Sequence, residues 1–408
     1  MSASKLLKNA HVLNIKSGEY SETNIRIQEG KIIELDSNTK ALANEDVHDL
    51  KGKFVIPGLI DSHVHVIAST ANLGDIASLS PSYVAISAAE NMKNMLNRGF
   101  TTVRDMGGAD FGLARSQIEG RITGPRLFFC GRAISQSGGH GDSRSEGENN
   151  FNDHGHFGDW SQIADGIDEV RKAVRNEIRR GAHHIKIMGS GGVASPTDRV
   201  DSLGYSIAEI EAIVDEAQSA NRYVAAHAYT ASAVNRALAS GVRTIEHGNL
   251  IDESSIPLFL KNDAYLIMNL VTYWALATEG KQNGIPSNIL AKLDDVLEGG
   301  IKSLELAVKS GINLLYGSDL LGPMQIHQSK EFLMRKDFQS PIEIIRSATS
   351  LPALMLGLPG KIGSVEIGAH ADMIVLERDP LKDIAYLTES EKFSAILLGG
   401  DFIKTSLG

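Results

Sequence analysis

The sequence predicts an α/β fold in which a (β/α)8 barrel is flanked by a smaller β domain built from both ends of the chain. Three observations support this prediction. Strand-like runs alternate with amphipathic helical segments through the middle of the chain, both ends contain only short strands and turns, and metal-binding residue types follow several middle strands. A chain of 408 residues is also long enough for one large barrel and a second, smaller domain.

The β domain begins with residues 1–57. Its strand-like runs, separated by EG and KG turns and showing no helical period, are AHVLNI, NIRIQ, KIIELD and KFVI. Residues 363–408 have the same character, with the strand-like runs DMIVLE and SAILLGG. We therefore expect the two ends to form one domain, with residues 58–362 forming the barrel between them.

The middle of the chain contains eight strand-like runs with helical patterns between them. These runs are VIPGLID, TTVRDM, RLFFCG, HIKIMG, YVAAHA, RTIEHG, YLIMNL and INLLYG. Four of the intervening segments place apolar residues on one stripe with a 3.6-residue period, as in SIAEIEAIVDEAQSANR. Eight strands is the number in a (β/α)8 barrel. A doubly wound open sheet is the alternative, and the positions of the chemically active residues favour the barrel.

The composition limits the classes of partner. The formal net charge of -10 argues against nucleic acid or an anionic membrane as a main partner. No apolar run reaches the roughly 20 residues that span a membrane, and MSASKLLKNAHVLNI lacks the apolar segment of a signal peptide. The one cysteine, Cys130, lies in the strand-like RLFFCGR, which indicates a packing residue. We expect a soluble, cytoplasmic protein.

The first barrel strand ends in two histidines, within the segment IPGLIDSHVHVI. His63 and His65 are two residues apart, so on a strand both side chains point to the same side and can reach one metal ion. Taken alone, the pair is weak evidence, because two strand-end histidines in solvent would give the same pattern.

Further candidate ligands lie on or after other strands. The fourth strand carries a lysine, the fifth and sixth end in histidines, and an aspartate follows the eighth: Lys186, His227, His247 and Asp319. Catalytic residues of barrels come from the C-terminal ends of strands. Each residue alone also has a structural explanation, such as a helix N-cap for Asp319. Together, four imidazoles and a carboxylate suit two divalent ions such as Zn2+.

Lys186 is the unusual member of this set. Its neighbours Ile185 and Ile187 point to the opposite face of the strand, so the lysine would face the barrel interior. An unpaired ammonium there is costly. Conversion of the amine to a carbamate would give an anionic oxygen bridge between two cations and would remove both the burial cost and the charge imbalance.

The ordered set of PGLIDSHVH, Lys186, His227, His247 and Asp319 resembles the amidohydrolase superfamily over nearly the whole chain. The resemblance implies a metal-dependent hydrolase on a distorted (β/α)8 TIM barrel, with a small β-sandwich domain built from both chain ends. It also implies a binuclear centre with a metal-activated hydroxide as the nucleophile.

The same resemblance implies a role for each candidate residue. The more buried ion would be bound by His63, His65 and Asp319, the more exposed one by His227 and His247, and both by carboxylated Lys186. Asp319 would also take a proton from the hydroxide and deliver it to the leaving group.

Two shorter motifs look closest to the bacterial prolidase and Xaa-Arg/Lys dipeptidase group, which also resembles imidazolonepropionase-like proteins. These motifs are SGGHGD at 137–142 and HAYT at 227–230. By this resemblance His140 and Tyr229 would contact the scissile carbonyl or the C-terminal carboxylate of the substrate, as donors to an oxygen anion. The alternatives are simple surface exposure for His140 and packing under a loop for Tyr229.

Loops around the site are expected to set specificity. The segment 138–160, which contains His154 and His156, is long, polar and irregular, as lids and binding loops often are. Tyr273 and Trp274 follow the seventh strand, where we expect an apolar subsite.

The resulting functional prediction is a dipeptidase that cleaves the amide bond before the C-terminal residue of dipeptides or N-acyl amino acids, with Xaa-Pro favoured. One alternative is an Xaa-Arg/Lys dipeptidase, for which Asp142, Asp198 or Asp201 would supply an acidic pocket. Another is hydrolysis of a cyclic amide such as a hydantoin, lactam or imidazolone.

A deaminase is disfavoured, because Lys186 is present and Thr230 stands where deaminases have glutamate. An inactive assembly protein is disfavoured because all six ligand positions are filled.

The family resemblance also implies that the chain assembles with copies of itself. Barrels of this family often form higher oligomers, so we expect a homo-oligomer that binds a small-molecule substrate.

Overall fold

The structure is a computed structural model that describes residues 4–144, 147–148, 158–195, 197–285, 290 and 293–407. Within these residues the strands, in chain order, are β1 Lys5–Asn14, β2 Glu19–Gln28, β3 Lys31–Leu35, β4 Asp46–Asp49, β5 Phe54–Pro57, β6 Leu59–Val64, β7 Phe100–Asp105, β8 Arg126–Phe129, β9 Ala133–Ser135, β10 Ser161–Ile163, β11 Ile185–Met188, β12 Val224–Thr230, β13 Thr244–Leu250, β14 Tyr265–Met268, β15 Asn313–Tyr316, β16 Met373–Leu376, β17 Ala395–Leu398 and β18 Asp401–Thr405.

The α-helices of the same residues are α1 Pro81–Asn97, α2 Phe111–Ile118, α3 Gly166–Arg179, α4 Ile207–Ser219, α5 Ala231–Ala239, α6 Ile256–Lys261, α7 Leu270–Glu279, α8 Leu293–Ser310, α9 Glu331–Arg335, α10 Pro341–Ser347 and α11 Ser350–Met355. Short 3-10 helices cover Leu73–Ser78, Gly322–Lys330, Ile384–Thr388 and Ser390–Lys392. None of these helices has both the length and the apolar content needed to cross a bilayer.

Strands from both ends of the chain lie in one sheet. Its order is β18-β17-β16-β5-β1-β2-β3, with β4 paired to β1. The central strand β5 runs parallel to β1 and antiparallel to β16. An apolar cluster that includes Leu7, Ile25, Val55 and Met373 is buried in this part of the chain. The sequence pattern missed β4 and β18, because both are short and mostly polar or exposed.

A second sheet contains seven strands in the order β10-β9-β11-β12-β13-β14-β15, and all its pairs are parallel. The strands β6, β7 and β8 form a third sheet. From β11 to β15, helices lie between successive strands, as parallel pairing requires a crossover connection. All eight strands predicted for the middle of the chain are present, and the predicted α/β class is confirmed. The two that the pattern missed, β9 and β10, have only three residues each.

The register of the seven-stranded sheet brings candidate ligands to neighbouring strand ends. Met188 of β11 lies opposite His227 of β12. His227 in turn lies opposite Glu246 of β13, and the next residue of β12 lies opposite His247. The strand β12 then passes directly into α5, where the Thr230 side chain caps the first turn.

The chain divides into two compact units. One comprises Met1–Asp61, Lys93–Val103 and Phe332–Gly408, and the other comprises Ser62–Met92 and Arg104–Glu331. Every candidate ligand from the sequence belongs to the second unit.

Candidate metal centre

His63, His65 and Asp319 form a compact group of potential metal ligands. The Nε2 atoms of His63 and His65 each lie 3.3 Å from the same oxygen, Oδ1 of Asp319. One potential ligand atom from each of the three residues lies within 4.8 Å of the other two. Both histidines are buried, and the aspartate is partly exposed. The group therefore presents its donor atoms to one small volume that can be reached from outside.

Backbone geometry holds Asp319 against His63. The backbone N–H groups of Ser318 and Asp319 donate to the carbonyl oxygen of His63, at 3.2 and 2.8 Å. The φ angle of Asp319 is 50°, in the left-handed region that non-glycine residues rarely adopt. Such strain is common at functional sites, where the surrounding structure maintains it.

The other ring nitrogen of each histidine, Nδ1, is hydrogen-bonded to a protein oxygen. Nδ1 of His63 lies 2.9 Å from Oε2 of Glu246, and Nδ1 of His65 lies 3.1 Å from the carbonyl oxygen of Gly107. Because these oxygens accept, Nδ1 donates in both rings, and in the neutral rings Nε2 carries the lone pair. Two lone pairs would then face a carboxylate oxygen, an arrangement that a divalent cation satisfies. Metal-binding histidines characteristically have such outer partners, so the donor set fits a metal ion.

Charge effects within the group are strong. Burial opposes the charged form of His63, but the Asp319 carboxylate outweighs it and raises the pKa of His63. Burial also opposes ionisation of Asp319, yet the positive charge of His63, when that ring is protonated at both nitrogens, outweighs it and holds the pKa of Asp319 well below the usual range. Asp319 is therefore a carboxylate at neutral pH, which is the ligand form.

His227 and His247 lie beside this group. The ring centroid of His247 is 4.5 Å from that of His227 and 5.3 Å from that of His63. Nδ1 of His247 is 3.9 Å from Oδ2 of Asp319. Nε2 of His227 donates to the Gly191 carbonyl at 3.2 Å, which leaves Nδ1 as its lone-pair nitrogen. Burial lowers the pKa of both rings far below the ordinary value, so both are neutral and able to bind a metal.

Lys186 lies in the middle of β11 and is only 2% exposed. Burial lowers its pKa, and its charge acts on His63, His227 and His247. The lysine is thus within electrostatic reach of the histidines of the centre, and burial favours its neutral amine.

His140 and Tyr229 both contact the histidines. The ring of His140 stacks on His227 with centroids 4.1 Å apart, and its Nδ1 lies 2.9 Å from the Ser195 hydroxyl. The ring of Tyr229 is 5.0 Å from His227 and 5.1 Å from His247. His140 is half-buried, so it is not simply a surface residue.

Tyr273 makes polar contacts in addition to its apolar ones. Tyr273 and Trp274, from which an apolar subsite was expected, belong to one apolar cluster, and the Tyr273 hydroxyl donates to the Tyr229 hydroxyl at 2.8 Å. It also lies 2.8 Å from Nδ1 of His247. Sequence pattern alone shows that the tyrosine follows a strand, and cannot show that its hydroxyl reaches two site residues.

Glu246 is the site residue that the sequence pattern missed most clearly. In a regular strand, adjacent residues point to opposite faces, so Glu246 and His247 should not face the same site. His247 has a φ angle of 79°, which breaks the alternation. Both residues consequently approach His63, one by a hydrogen bond and one by ring contact.

The long polar loop is only partly described. Residues 145–146 and 149–157, which include His154 and His156, lie outside the described residues. In the part before them, Arg144 forms two side-chain hydrogen bonds to Asp142, of 2.8 and 2.6 Å.

Comparison with known proteins identifies the class. The family model described as "Amidohydrolase family" matches residues 54–403, so the chain belongs to this family. Ochratoxinase from Aspergillus niger is 32% identical over 367 residues, covering 86% of this chain and 75% of that protein.

Two solved structures of prolidase-type enzymes are similar to this chain. A prolidase complexed with N-methylphosphonate-L-proline is 42% identical, with a TM-score of 0.97 and coverage of 99% of this chain and 100% of that chain. A Xaa-Pro dipeptidase with bound methionine is 26% identical, with a TM-score of 0.87 and coverage of 98% and 99%. The resemblance to amidohydrolases, and to their prolidase-like group, is confirmed.

Proposed function

We propose that the chain is a binuclear metal-dependent hydrolase that cleaves the amide bond before the C-terminal residue of dipeptides or N-acyl amino acids, with Xaa-Pro dipeptides favoured. The observation that carries the proposal is the convergence of His63 and His65 Nε2 on one oxygen of Asp319, beside two further neutral histidines. The likeness to a prolidase solved with a proline phosphonate supports the substrate class.

Two groups of residues would hold the metals. The more buried ion would be bound by His63, His65 and Asp319, and the more exposed one by His227 and His247. Lys186, converted to a carbamate by CO2, would bridge the two. An imidazole-rich set with one carboxylate favours Zn2+. When bound, such ions lower the pKa of a coordinated water towards about 7 and polarise the substrate carbonyl.

Asp319 would transfer the proton. Its Oδ1 faces His63 and His65, while Oδ2 lies towards His247. Asp319 is ionised at neutral pH, which is the form that a general base requires, and its carboxylate would accept a proton from the attacking water. We propose that Oδ2 holds that proton and then gives it to the leaving amine.

His140 and Tyr229 would orient the substrate. Burial raises the pKa of Tyr229 well above its ordinary value, so its hydroxyl keeps its proton. Its oxygen accepts from Tyr273, which leaves its own O–H to donate to a substrate oxygen. Nδ1 of His140 donates to the Ser195 hydroxyl, so His140, stacked on His227, would donate from Nε2 to the scissile carbonyl or to the C-terminal carboxylate in its doubly protonated form.

The acidic residues considered for an Xaa-Arg/Lys pocket all have internal partners. Asp142 pairs with Arg144 and Asp201 pairs with Arg199. Asp198 accepts from the Ser195 hydroxyl and from the backbone N–H of Gly192. At Asp142 and Asp201 a substrate cation would have to displace an arginine, which favours Xaa-Pro over Xaa-Arg and Xaa-Lys.

N-acyl amino acids are the second candidate class of substrate. The same centre would serve both classes, because the bond before the C-terminal residue is an amide in each.

We further propose that the three-stranded and seven-stranded sheets belong to one closed, distorted (β/α)8 barrel, and that the sheet of both chain ends is part of a β-sandwich. Hydrogen bonds from Ser318 and Asp319, just after β15, reach His63 on β6. These bonds connect the last strand of one sheet to the first strand of the other, as barrel closure requires.

The test is a substrate panel on zinc-loaded protein. It should contain stereodefined Xaa-Pro, Xaa-Arg and N-acyl amino acid compounds, with hydantoins as cyclic amides. We expect amino acid release to be fastest from Xaa-Pro. Asp319→Asn, purified in the same way, controls for contaminating peptidases. No release from any dipeptide or N-acyl amino acid would contradict the proposal.

A further inference from the structure

A fully buried ion pair lies next to His63. Arg104 and Glu246 are both 0% exposed, and Nη2 of Arg104 is 2.6 Å from Oε1 of Glu246. The other carboxylate oxygen, Oε2, lies 2.9 Å from Nδ1 of His63. Glu246 therefore divides its two oxygens between a permanent cation and a candidate metal ligand.

Further hydrogen bonds fix this carboxylate. The hydroxyl of Thr244 donates to Oε1 of Glu246 at 2.8 Å. Arg104 also donates through Nε to the carbonyl oxygen of Ser62 at 2.6 Å, and through Nη1 to Thr244 at 3.2 Å. The same guanidinium thus holds the backbone just before His63 and the carboxylate that contacts its ring.

The donor and acceptor pattern determines which nitrogen of His63 carries its proton. Arginine has only donors, so the oxygen that faces Arg104 must accept. An ionised carboxylate accepts at its other oxygen too, and His63 must therefore donate from Nδ1. Nε2 is then the lone-pair nitrogen, and it is the atom that lies 3.3 Å from Asp319.

We propose that Glu246 is a positioning residue of the metal centre, which holds His63 in the tautomer protonated at Nδ1, and that Arg104 holds Glu246 in place for this task. The inference rests on the proposed function only in requiring that His63 binds the metal. Glu246 does not touch substrate or metal in this account; it acts through His63.

Glu246→Gln tests the proposal because it keeps the shape and changes one acceptor into a donor. Arg104 requires the amide oxygen, so the NH2 group would face His63. Nδ1 would then have to accept, and the proton would move to Nε2, where it blocks metal binding. Loss of such outer partners typically weakens metal binding by about 10–100-fold. We expect an increase of that size in the zinc dissociation constant.

Glu177→Gln is the matched control. Glu177 is also 0% exposed and is paired with a buried arginine, Arg132, with Nε 3.3 Å from Oε1. This variant loses a comparable buried charge, and its zinc dissociation constant should equal that of the wild type. Zinc affinity is measured by competition with a chromophoric chelator. Equal zinc affinities for the Glu246→Gln and Glu177→Gln variants would overturn the proposal.

The position of the proton on the His63 ring can be measured directly, and a general loss of protein stability would not move it from one nitrogen to the other. In metal-free protein at alkaline pH, 15N NMR of histidine side chains should show the His63 proton on Nδ1, assigned by its absence in His63→Gln. In Glu246→Gln the proton should be on Nε2. A wild-type proton on Nε2 would overturn the inference, even if the Glu246→Gln variant does not fold. A wild type that binds no zinc would overturn the proposed function as well, whereas unchanged zinc binding in Glu246→Gln overturns this inference alone.

Discussion

Nε2 of His65 lies 3.3 Å from Oδ1 of Asp319, although the two residues follow the first and last strands of the predicted barrel. Nε2 of His63 lies 3.3 Å from the same oxygen, so the carboxylate of Asp319 is the point where the candidate ligands converge.

Asp319→Asn removes both a proposed metal ligand and the proposed proton carrier. We expect kcat to fall by about 10^2–10^4-fold, the usual contribution of general acid–base catalysis, or further if metal is also lost. Steady-state kinetics on an Xaa-Pro dipeptide measure this change. Asp252→Asn, at an exposed aspartate, should leave kcat unchanged. Activity near the wild-type level in Asp319→Asn would rule out the proton-transfer role.

Lys186→Ala removes the proposed bridge. The variant should lose bound metal and activity, and added formate, acetate or propionate should restore part of both by replacing the carbamate oxygens. Metal content and amino acid release are measured with and without the acids. The same acids added to Lys261→Ala, at an exposed lysine, should have no such effect. Unchanged activity in Lys186→Ala would contradict the bridging role.

Tyr229→Phe separates the two contacts proposed for its hydroxyl. If the hydroxyl stabilises the developing oxyanion, kcat should fall by about 10^2-fold. If it binds the C-terminal carboxylate, the change should appear mainly as a higher KM. Tyr205→Phe is the control, because Tyr205 is also buried but its hydroxyl donates to the Ala164 carbonyl. Kinetic constants equal to those of the Tyr205→Phe variant would exclude both roles for Tyr229.

Metal binding should stabilise the fold. A ligand that binds only the folded state at 1,000 times its dissociation constant adds about 4 kcal/mol to the free energy of unfolding. Urea unfolding with and without zinc should show a gain of this order in the wild type and a much smaller one in His63→Asn. Equal gains in the two proteins would show that zinc binds elsewhere.

His184 should make the metal-free fold sensitive to acid. Burial lowers its pKa well below the ordinary value, while in the unfolded chain it should titrate near 6.5. As pH falls below about 6.5, the unfolded chain binds a proton that the folded chain does not, so the free energy of unfolding falls by up to about 1.4 kcal/mol per pH unit. Urea unfolding at pH 7.5 and 5.5 should show a smaller pH dependence in His184→Gln than in the wild type. The same dependence in both would contradict this account of His184.

Much of the fold was predictable because parallel strands of the central sheet are short apolar runs between helices with a clear period. The candidate ligands were predictable for a related reason: the residue types that bind metals stand where such strands end. Strands β4, β9, β10 and β18 were not predictable, since three or four residues, or a polar exposed strand, give too weak a pattern.

The surroundings of the ligands were less predictable. Glu246 and His247 are adjacent, and strand alternation places them on opposite faces. Only the positive φ of His247 brings both to His63, and no side-chain pattern reports that backbone angle. The Tyr273 hydroxyl was missed similarly, because its contacts depend on how α7 lies beside β12 and β13.

The most direct test of the central claim is a zinc titration of metal-free protein, with bound zinc and release of proline from an Xaa-Pro dipeptide measured on the same samples. We predict that the metal-free protein is inactive and that activity rises until two ions are bound per chain. Full activity without bound metal, or no activity on any dipeptide or N-acyl amino acid with two ions bound, would contradict the account.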